Sequence, residues 1–221
     1  MGRSRVTLGA SCAVAGLLVG LLALVPDTGI RLLLLTTVLA VTGACLGTYI
    51  HRLLEAGDID HTTGLLNRRA FVRHLDAEVA RAQRHHRSFA LVLMDIDNFK
   101  RYNDRYGHLT GDMVLRTFSH IARGVVRTSD LVARWGGEEF ALILPETGHA
   151  GAIAVAQRVR QRLAAETLPN GSPGVTLSGG VACFPEDADD SEGLVSAADS
   201  ALYRAKASGN EIVLFSRAGY Q

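Results

Sequence analysis

The chain has 221 residues, with 23 Lys+Arg against 22 Asp+Glu, and it is 48% hydrophobic but only 6% aromatic. At roughly 150 residues per domain, this is one domain plus a shorter segment. The near-neutral balance excludes a binder of nucleic acid that works through a broad basic field, the apolar share excludes wholesale disorder, and three scattered cysteines exclude a disulfide scaffold.

The aliphatic excess lies at the start. Val6 to Val25 is an uncharged run of 20 residues, and Leu32 to Ile50 is another of 19. Each makes a helix of about 30 Å, the thickness of a bilayer's hydrocarbon core. Pro26 to Arg31 is expected to be the turn between them, which makes a two-helix transmembrane hairpin. Arg3 and Arg5 before the first span, and His51 and Arg52 after the second, place both chain ends on the cytoplasmic side. A cleaved signal peptide fits less well, because a second span follows directly and no Ala-x-Ala site separates them. Cys12, Cys45 and Cys183 read as small apolar residues. Gly16 and Gly20, like Gly43 and Gly47, have the spacing that lets membrane helices approach closely.

We therefore divide the chain into an anchor at 1–57 and a domain at 58–221. The second part carries 19 Lys+Arg against 20 Asp+Glu. Asn67 to Arg87 reads as a helix with Phe71, Leu75 and Val79 on one face. Phe89 to Met94 is a buried strand, and Gly111 to Val126 a helix with Asp112 near its start. Leu131 to Trp135 and Phe140 to Leu144 are strands joined by Gly136, Gly137, Glu138 and Glu139, a hairpin signal. Helices are expected over Ala150 to Glu166 and Leu194 to Ser208, and strands over Val175 to Cys183 and Ile212 to Phe215. Glu186 to Glu192 reads as an exposed acidic loop. The pattern is an α/β domain whose antiparallel hairpin interrupts the β-α alternation.

Two acidic clusters can do chemistry. Asp95 and Asp97 end the first buried strand, and strand alternation points both to one side. Glu138 and Glu139 occupy the hairpin turn. Carboxylates at strand ends suit a hard cation, because Mg²⁺ takes a few carboxylates together with substrate phosphates. The two glycines let the backbone approach a ligand closely. His85 and His86 read as a solvated helix end, His108 lacks partners at metal-ligand spacing, and Trp135 reads as packing beside the hairpin.

Taken together, Asp95 to Asp112 and Ala133 to Leu142 resemble the GGDEF family of diguanylate cyclases in its GGEEF form. Asp60 to Arg69 resembles that domain's opening motif, with Thr62 where leucine is usual, and Ala198 to Gly209 its C-terminal signature. The resemblance covers about 58–216. It implies a fold similar to the palm of nucleotide polymerases and nucleotide cyclases. It further implies condensation of two GTP into cyclic di-GMP and two pyrophosphates, by a homodimer in which each 3′-hydroxyl attacks the other nucleotide's α-phosphate. Two Mg²⁺ or Mn²⁺ ions per half-site are implied, since a two-metal clamp serves both oxygens.

By motif position, Asp95, Glu138 and the Ile96 carbonyl would hold metal, and Glu139 would assist the metal or act as base. Gly136 and Gly137 would lie under the nucleotide. Phe99, Lys100 and Lys206 would contact phosphates, and Asn103 and Asp112 would read guanine, whose N1–H and N2–H donors suit a carboxylate. Arg127 and Asp130 resemble the family's inhibitory product site, with Arg158 as a secondary arginine. Gly209-Asn210-Glu211 departs from the usual Gly-Arg-Asn, which removes one phosphate-gripping arginine. The resemblance implies a bacterial inner-membrane, multi-pass protein with its catalytic domain in the cytoplasm. It implies no direct nucleic-acid binding. The rival expectations are a weak or inactive member serving as a cyclic di-GMP receptor, and a membrane scaffold.

Overall fold

The computed structural model describes residues 28–55, 57–168, 171 and 174–216. The chain divides into two compact units, Met1–Gly57 and Asp58–Gln221.

In the first unit, helix α1 spans Thr28–Glu55. Its Thr28–Tyr49 stretch, with a mean hydropathy of 1.9, is long and apolar enough to cross a membrane. Leu33, Leu39 and Leu46 are exposed along it. The hydroxyls of Thr36, Thr37, Thr42 and Thr48 donate to carbonyls three or four residues back, which satisfies them without water. The helix begins inside the expected 26–31 turn, since no proline follows Pro26 to stop it. It continues past Ile50 because Arg52, Leu53, Leu54 and Glu55 are strong helix formers. The first expected span, 6–25, lies outside the described residues.

The second unit is a six-stranded sheet with helices on both faces. Its strands are β1 (Leu66–Asn67), β2 (Phe89–Ile96), β3 (Leu131–Arg134), β4 (Glu139–Pro145), β5 (Leu177–Phe184) and β6 (Ile212–Leu214), in the order β1-β3-β4-β2-β5-β6. The helices are α2 (Arg68–His85), α3 (Phe99–Tyr106), α4 (His108–Val125), α5 (His149–Ala165) and α6 (Ser191–Ser208). The outer pairs β1–β3 and β5–β6 are parallel, and the inner ones antiparallel.

Strand alternation sorts the core into two layers. Ala90, Val92, Met94 and Ile96 of β2 pack with Val114 and Phe118 of α4 and Ala152, Ala156 and Val159 of α5. Phe89, Leu91 and Leu93 face the other way, onto Phe71 and Leu75 of α2 and Ala198 and Leu202 of α6. All eight residues of β2 are buried, as expected of a strand covered on both faces. The rings of Phe118 and Phe140 stack with centroids 3.7 Å apart, fixing α4 over β4.

Three features differ from the sequence reading. Helix α4 starts at His108, so Asp112 lies more than a turn inside it. Helix α3 goes unread because only Phe99 and Tyr102 of its eight residues are buried, too few to show a period. Part of the supposed acidic loop belongs to α6, whose N-cap Asp190 accepts from the Gly193 amide at 2.7 Å.

Candidate active site

The acidic clusters meet because of sheet register. Strand β2 is paired on both sides, and Asp95 lies opposite Glu139 of β4 and Ser178 of β5. The Ile96 amide donates to the Glu138 carbonyl at 3.3 Å, so the hairpin turn folds over the end of β2. Asp95 belongs to the same alternation as Leu91 and Leu93 and so faces α6, where Lys206 Nζ stands 2.6 Å from its Oδ1. That helix comes close because β5 has no side chain at Gly180. A Cβ there would lie 2.1 Å from the Ala198 carbonyl oxygen and 2.3 Å from the Leu202 nitrogen.

Asp95 is 5% exposed. Its Oδ1 has the ion pair with Lys206 but no aligned hydrogen bond. Burial above all, with the charges of Glu138 and Glu139, pushes its carboxyl up to about 6 against the downward pull of Lys206. Negative charge therefore accumulates at the end of β2 beyond what one lysine neutralises. A buried, under-bonded carboxylate oxygen with two more carboxylates nearby has the donor chemistry of a hard divalent cation, so the residues fit the implied metal.

Arg134 braces the hairpin. It donates from Nε to the Gly136 carbonyl at 3.1 Å and from Nη2 to the Gly137 carbonyl at 2.7 Å. Its Nη1 meets Asp60, with the closer contact at 3.2 Å. Asp60 also accepts the Thr63 amide and hydroxyl, at 2.9 and 2.7 Å. Burial alone would raise the Asp60 carboxyl, but these bonds and the guanidinium hold it below the usual range. The opening loop is tied down in turn, since Ser119 donates to the Thr63 carbonyl at 2.8 Å and Arg123 to that of Gly64. Space at Gly136 is already taken, because a Cβ there would lie 2.2 Å from Glu139 Oε2; at Gly137 nothing lies near.

Beside the hairpin opens a cleft of about 590 Å³. Phe99, Lys100, Asn103, Asp112, Gly137 and Glu138 all line it, so most of the residues singled out for nucleotide share one cavity. His108 lines it too. Asn103 Oδ1 is buried there without a partner. Gly111 leaves it room, since a Cβ would stand 1.8 Å away. A buried unpaired acceptor is costly unless a ligand satisfies it.

Asp97 points to the same side of the sheet as Asp95, since its amide still bonds the Thr176 carbonyl at 2.9 Å and its carboxylate reaches Ser178, the residue paired opposite Asp95. It is not left open to a cation. Its carboxylate instead accepts from the hydroxyls of Thr176 (2.7 Å) and Ser178 (2.8 Å), and from the Asn210 amide (2.9 Å). Asn210, with φ at 52°, is further held by Arg160, which donates to its carbonyl at 3.0 Å and its side-chain oxygen at 3.1 Å. The residue at the departed arginine position thus fastens a loop.

Arg127, Asp130 and Arg158 line a second cleft of about 450 Å³ with Thr147, Gln157 and Gln161. Asp130 accepts from the Arg127 amide at 2.7 Å, which shapes the turn. Asp60, Arg134, Gly111 and Arg160 received no role from the sequence. Asp60, Arg134 and Gly111 lie inside the family motifs, and the opposite charges of Asp60 and Arg134 were an available signal; Arg160 left none.

Comparison with known proteins agrees with this geometry. A family model described as "Diguanylate cyclase, GGDEF domain" matches residues 57–211. The chain is 41% identical to the response regulator PleD of Caulobacter vibrioides over 165 residues, 73% of this chain and 36% of that protein. It is also 41% identical to the diguanylate cyclase DgcP of Pseudomonas aeruginosa, over 69% of this chain and 23% of that one. It thus spans about a third or less of the length of these two relatives. The GGDEF domain of DgcB from Caulobacter crescentus, solved in complex with c-di-GMP, superposes with a TM-score of 0.67 at 31% identity, covering 71% of this chain and 92% of that one. An active GGEEF domain of a diguanylate cyclase from Vibrio cholerae gives 0.66 at 32% identity, over 69% and 99%.

Proposed function

Since the chain belongs to the GGDEF diguanylate cyclase family, we propose that it condenses two GTP molecules into cyclic di-GMP and two pyrophosphates. One observation carries this reading. Asp95 and Glu139 pair at one strand end, and the adjoining Glu138 lines the cleft that holds Asn103, Asp112 and Lys100.

Asp95, Glu138 and the Ile96 carbonyl would hold Mg²⁺ or Mn²⁺, which when bound supplies charge neutralisation at the reacting phosphate. Asp112 accepts the guanine N1–H and N2–H donors, and Asn103 Oδ1 gains a partner from the base edge. Lys100 and Lys206 place ammonium charges along the phosphates, and Phe99 lies over them. Glu139, its carboxylate against Gly136, is placed to orient or deprotonate the 3′-hydroxyl. One domain offers one such nucleotide cleft among the described residues, so the reaction would need two copies facing each other, and α1 would hold both in the plane of the inner membrane. The second cleft would take cyclic di-GMP through Arg127, Asp130 and Arg158, giving product inhibition.

The test uses purified full-length protein with GTP and Mg²⁺ or Mn²⁺, and detects cyclic di-GMP. Activity that disappears in Glu138→Ala supports the cyclase. Cyclic di-GMP binding without turnover would make the protein a receptor instead. Arg127→Ala is expected to keep turnover while losing inhibition by added product, and unchanged inhibition would remove the product site.

A further inference from the structure

A second cluster of metal-type ligands lies at the other end of the sheet. Where Asp95 pairs with Ser178 at one end of β2, Phe89 pairs with Phe184 at the other. Next to Phe184 is Cys183, fully buried in the layer beneath α5. His149 is the first residue of that helix, and Glu186 and Asp187 follow β5 in a turn. His149 Nε2 lies 2.8 Å from Asp187 Oδ2, and its Nδ1 lies 3.5 Å from Glu186 Oε2. Asp187 Oδ2 also accepts the Cys183 amide at 2.7 Å.

We propose that His149, Cys183 and Asp187, with Glu186 at the mouth, form a binding site for a divalent transition-metal ion of the zinc type, separate from the nucleotide cleft. One ligand atom from each of the first three lies within 4.8 Å of the others. A tetrahedral zinc centre with bonds of about 2.0–2.3 Å has ligands roughly 3.3–3.8 Å apart. Movement of about an ångström, within reach of side-chain adjustment, therefore closes the site. Imidazole, sulfur and carboxylate together are the donor set of zinc and its neighbours, and not of Mg²⁺ or Ca²⁺, which take oxygen. The ion has a way in, because the side chains of His149 and Glu186 are 32% and 56% exposed over the buried sulfur.

On binding, the Cys183 S–H bond breaks, the sulfur–metal bond forms and the proton leaves to solvent. The His149–Asp187 contact opens as each turns a lone pair to the ion. The same residue types could suggest a thiol nucleophile with a histidine and an acid, but a fully buried sulfur is closed to any substrate. The ion would join the start of α5 to the turn after β5. The proposal does not depend on the cyclase reading.

The test is cobalt titration of full-length, chelator-stripped, reduced protein in which Cys12 and Cys45 are serine, leaving Cys183 as the sole thiol. We expect one equivalent of Co²⁺ to produce a thiolate-to-cobalt charge-transfer band that Zn²⁺ abolishes by displacement. The band should persist in an added Glu138→Gln variant and vanish in Cys183→Ser. His149→Ala, at the helix surface, is expected to keep the fold. It should weaken Co²⁺ binding by at least the roughly 10–100-fold that losing even a supporting partner costs. A folded protein without the band, or a band indifferent to His149→Ala, overturns the proposal.

Discussion

At the scale of single residues, Asp95 is the group whose environment is hardest to satisfy. Its folded carboxyl titrates near 6, chiefly through burial, against about 3.9 in an unfolded chain. The native state thus binds the extra proton, so this group's contribution to stability is largest below about pH 4 and is lost as pH rises through 6. Metal-free protein should therefore lose stability across that window. Asp95→Asn should flatten the loss and stabilise metal-free protein at pH 7 by roughly 1–3 kcal/mol, while abolishing turnover; denaturation at several pH values checks it. Divalent-cation affinity should rise over the same pH range and level off above it. Gly111→Ala has a different target: its methyl would collide with Asn103 Oδ1, so the KM for GTP should rise at least tenfold, about 1.4 kcal/mol of binding, with the metal site unaffected. At position 210 an arginine would meet Arg160. The pair Asn210→Arg with Arg160→Ala should therefore lower KM, and an unchanged value would show that the missing arginine has no part in GTP binding. These residues differ in legibility. Asp95, Glu138, Asn103 and Asp112 stand in motifs and were legible as candidates, whereas the occupation of Asp97 by Thr176, Ser178 and the Asn210 amide was not, because those donors lie 79, 81 and 113 residues away in the chain.

At the scale of elements, the site rests on a hairpin and its brace. Arg134 holds two turn carbonyls and a carboxylate at once, a fork that lysine cannot reproduce. Both Arg134→Ala and Arg134→Lys are expected to lower kcat by about 10–100-fold, or 1.4–2.7 kcal/mol, with little change in overall fold by circular dichroism. A Lys variant with native kcat would show that the turn holds its shape alone. The long helices α2, α5 and α6 were legible because each buries a regular face, and β2 because it is a continuous apolar run covered on both faces. Helix α3 and strand β1 were not, since one has two buried residues and the other has two residues in all. The close seating of α6, which brings Lys206 to Asp95, depends on a missing side chain at Gly180. Such a vacancy leaves no period to read.

At the scale of the whole molecule, among the described residues both core layers and the side chains packed on them lie between Leu65 and Phe215, so the 58–221 fragment is expected to fold without the anchor. The proposed reaction would then need two fragments to meet in solution. Initial rate should rise with the square of fragment concentration when dilute, whereas full-length protein in vesicles should keep a high rate at the same average concentration, because the membrane raises the effective one. Equal concentration dependence for both would count against the anchor as the source of pairing.

The proposed anchoring would crowd domains into one plane and bring their sheets together, where an open strand edge would invite one sheet to continue into the next. The two outermost strands, β1 and β6, are only two and three residues long. So short an edge offers few unpaired backbone groups to a neighbouring copy. Copies held at high density by such an anchor would thus collide repeatedly without polymerising.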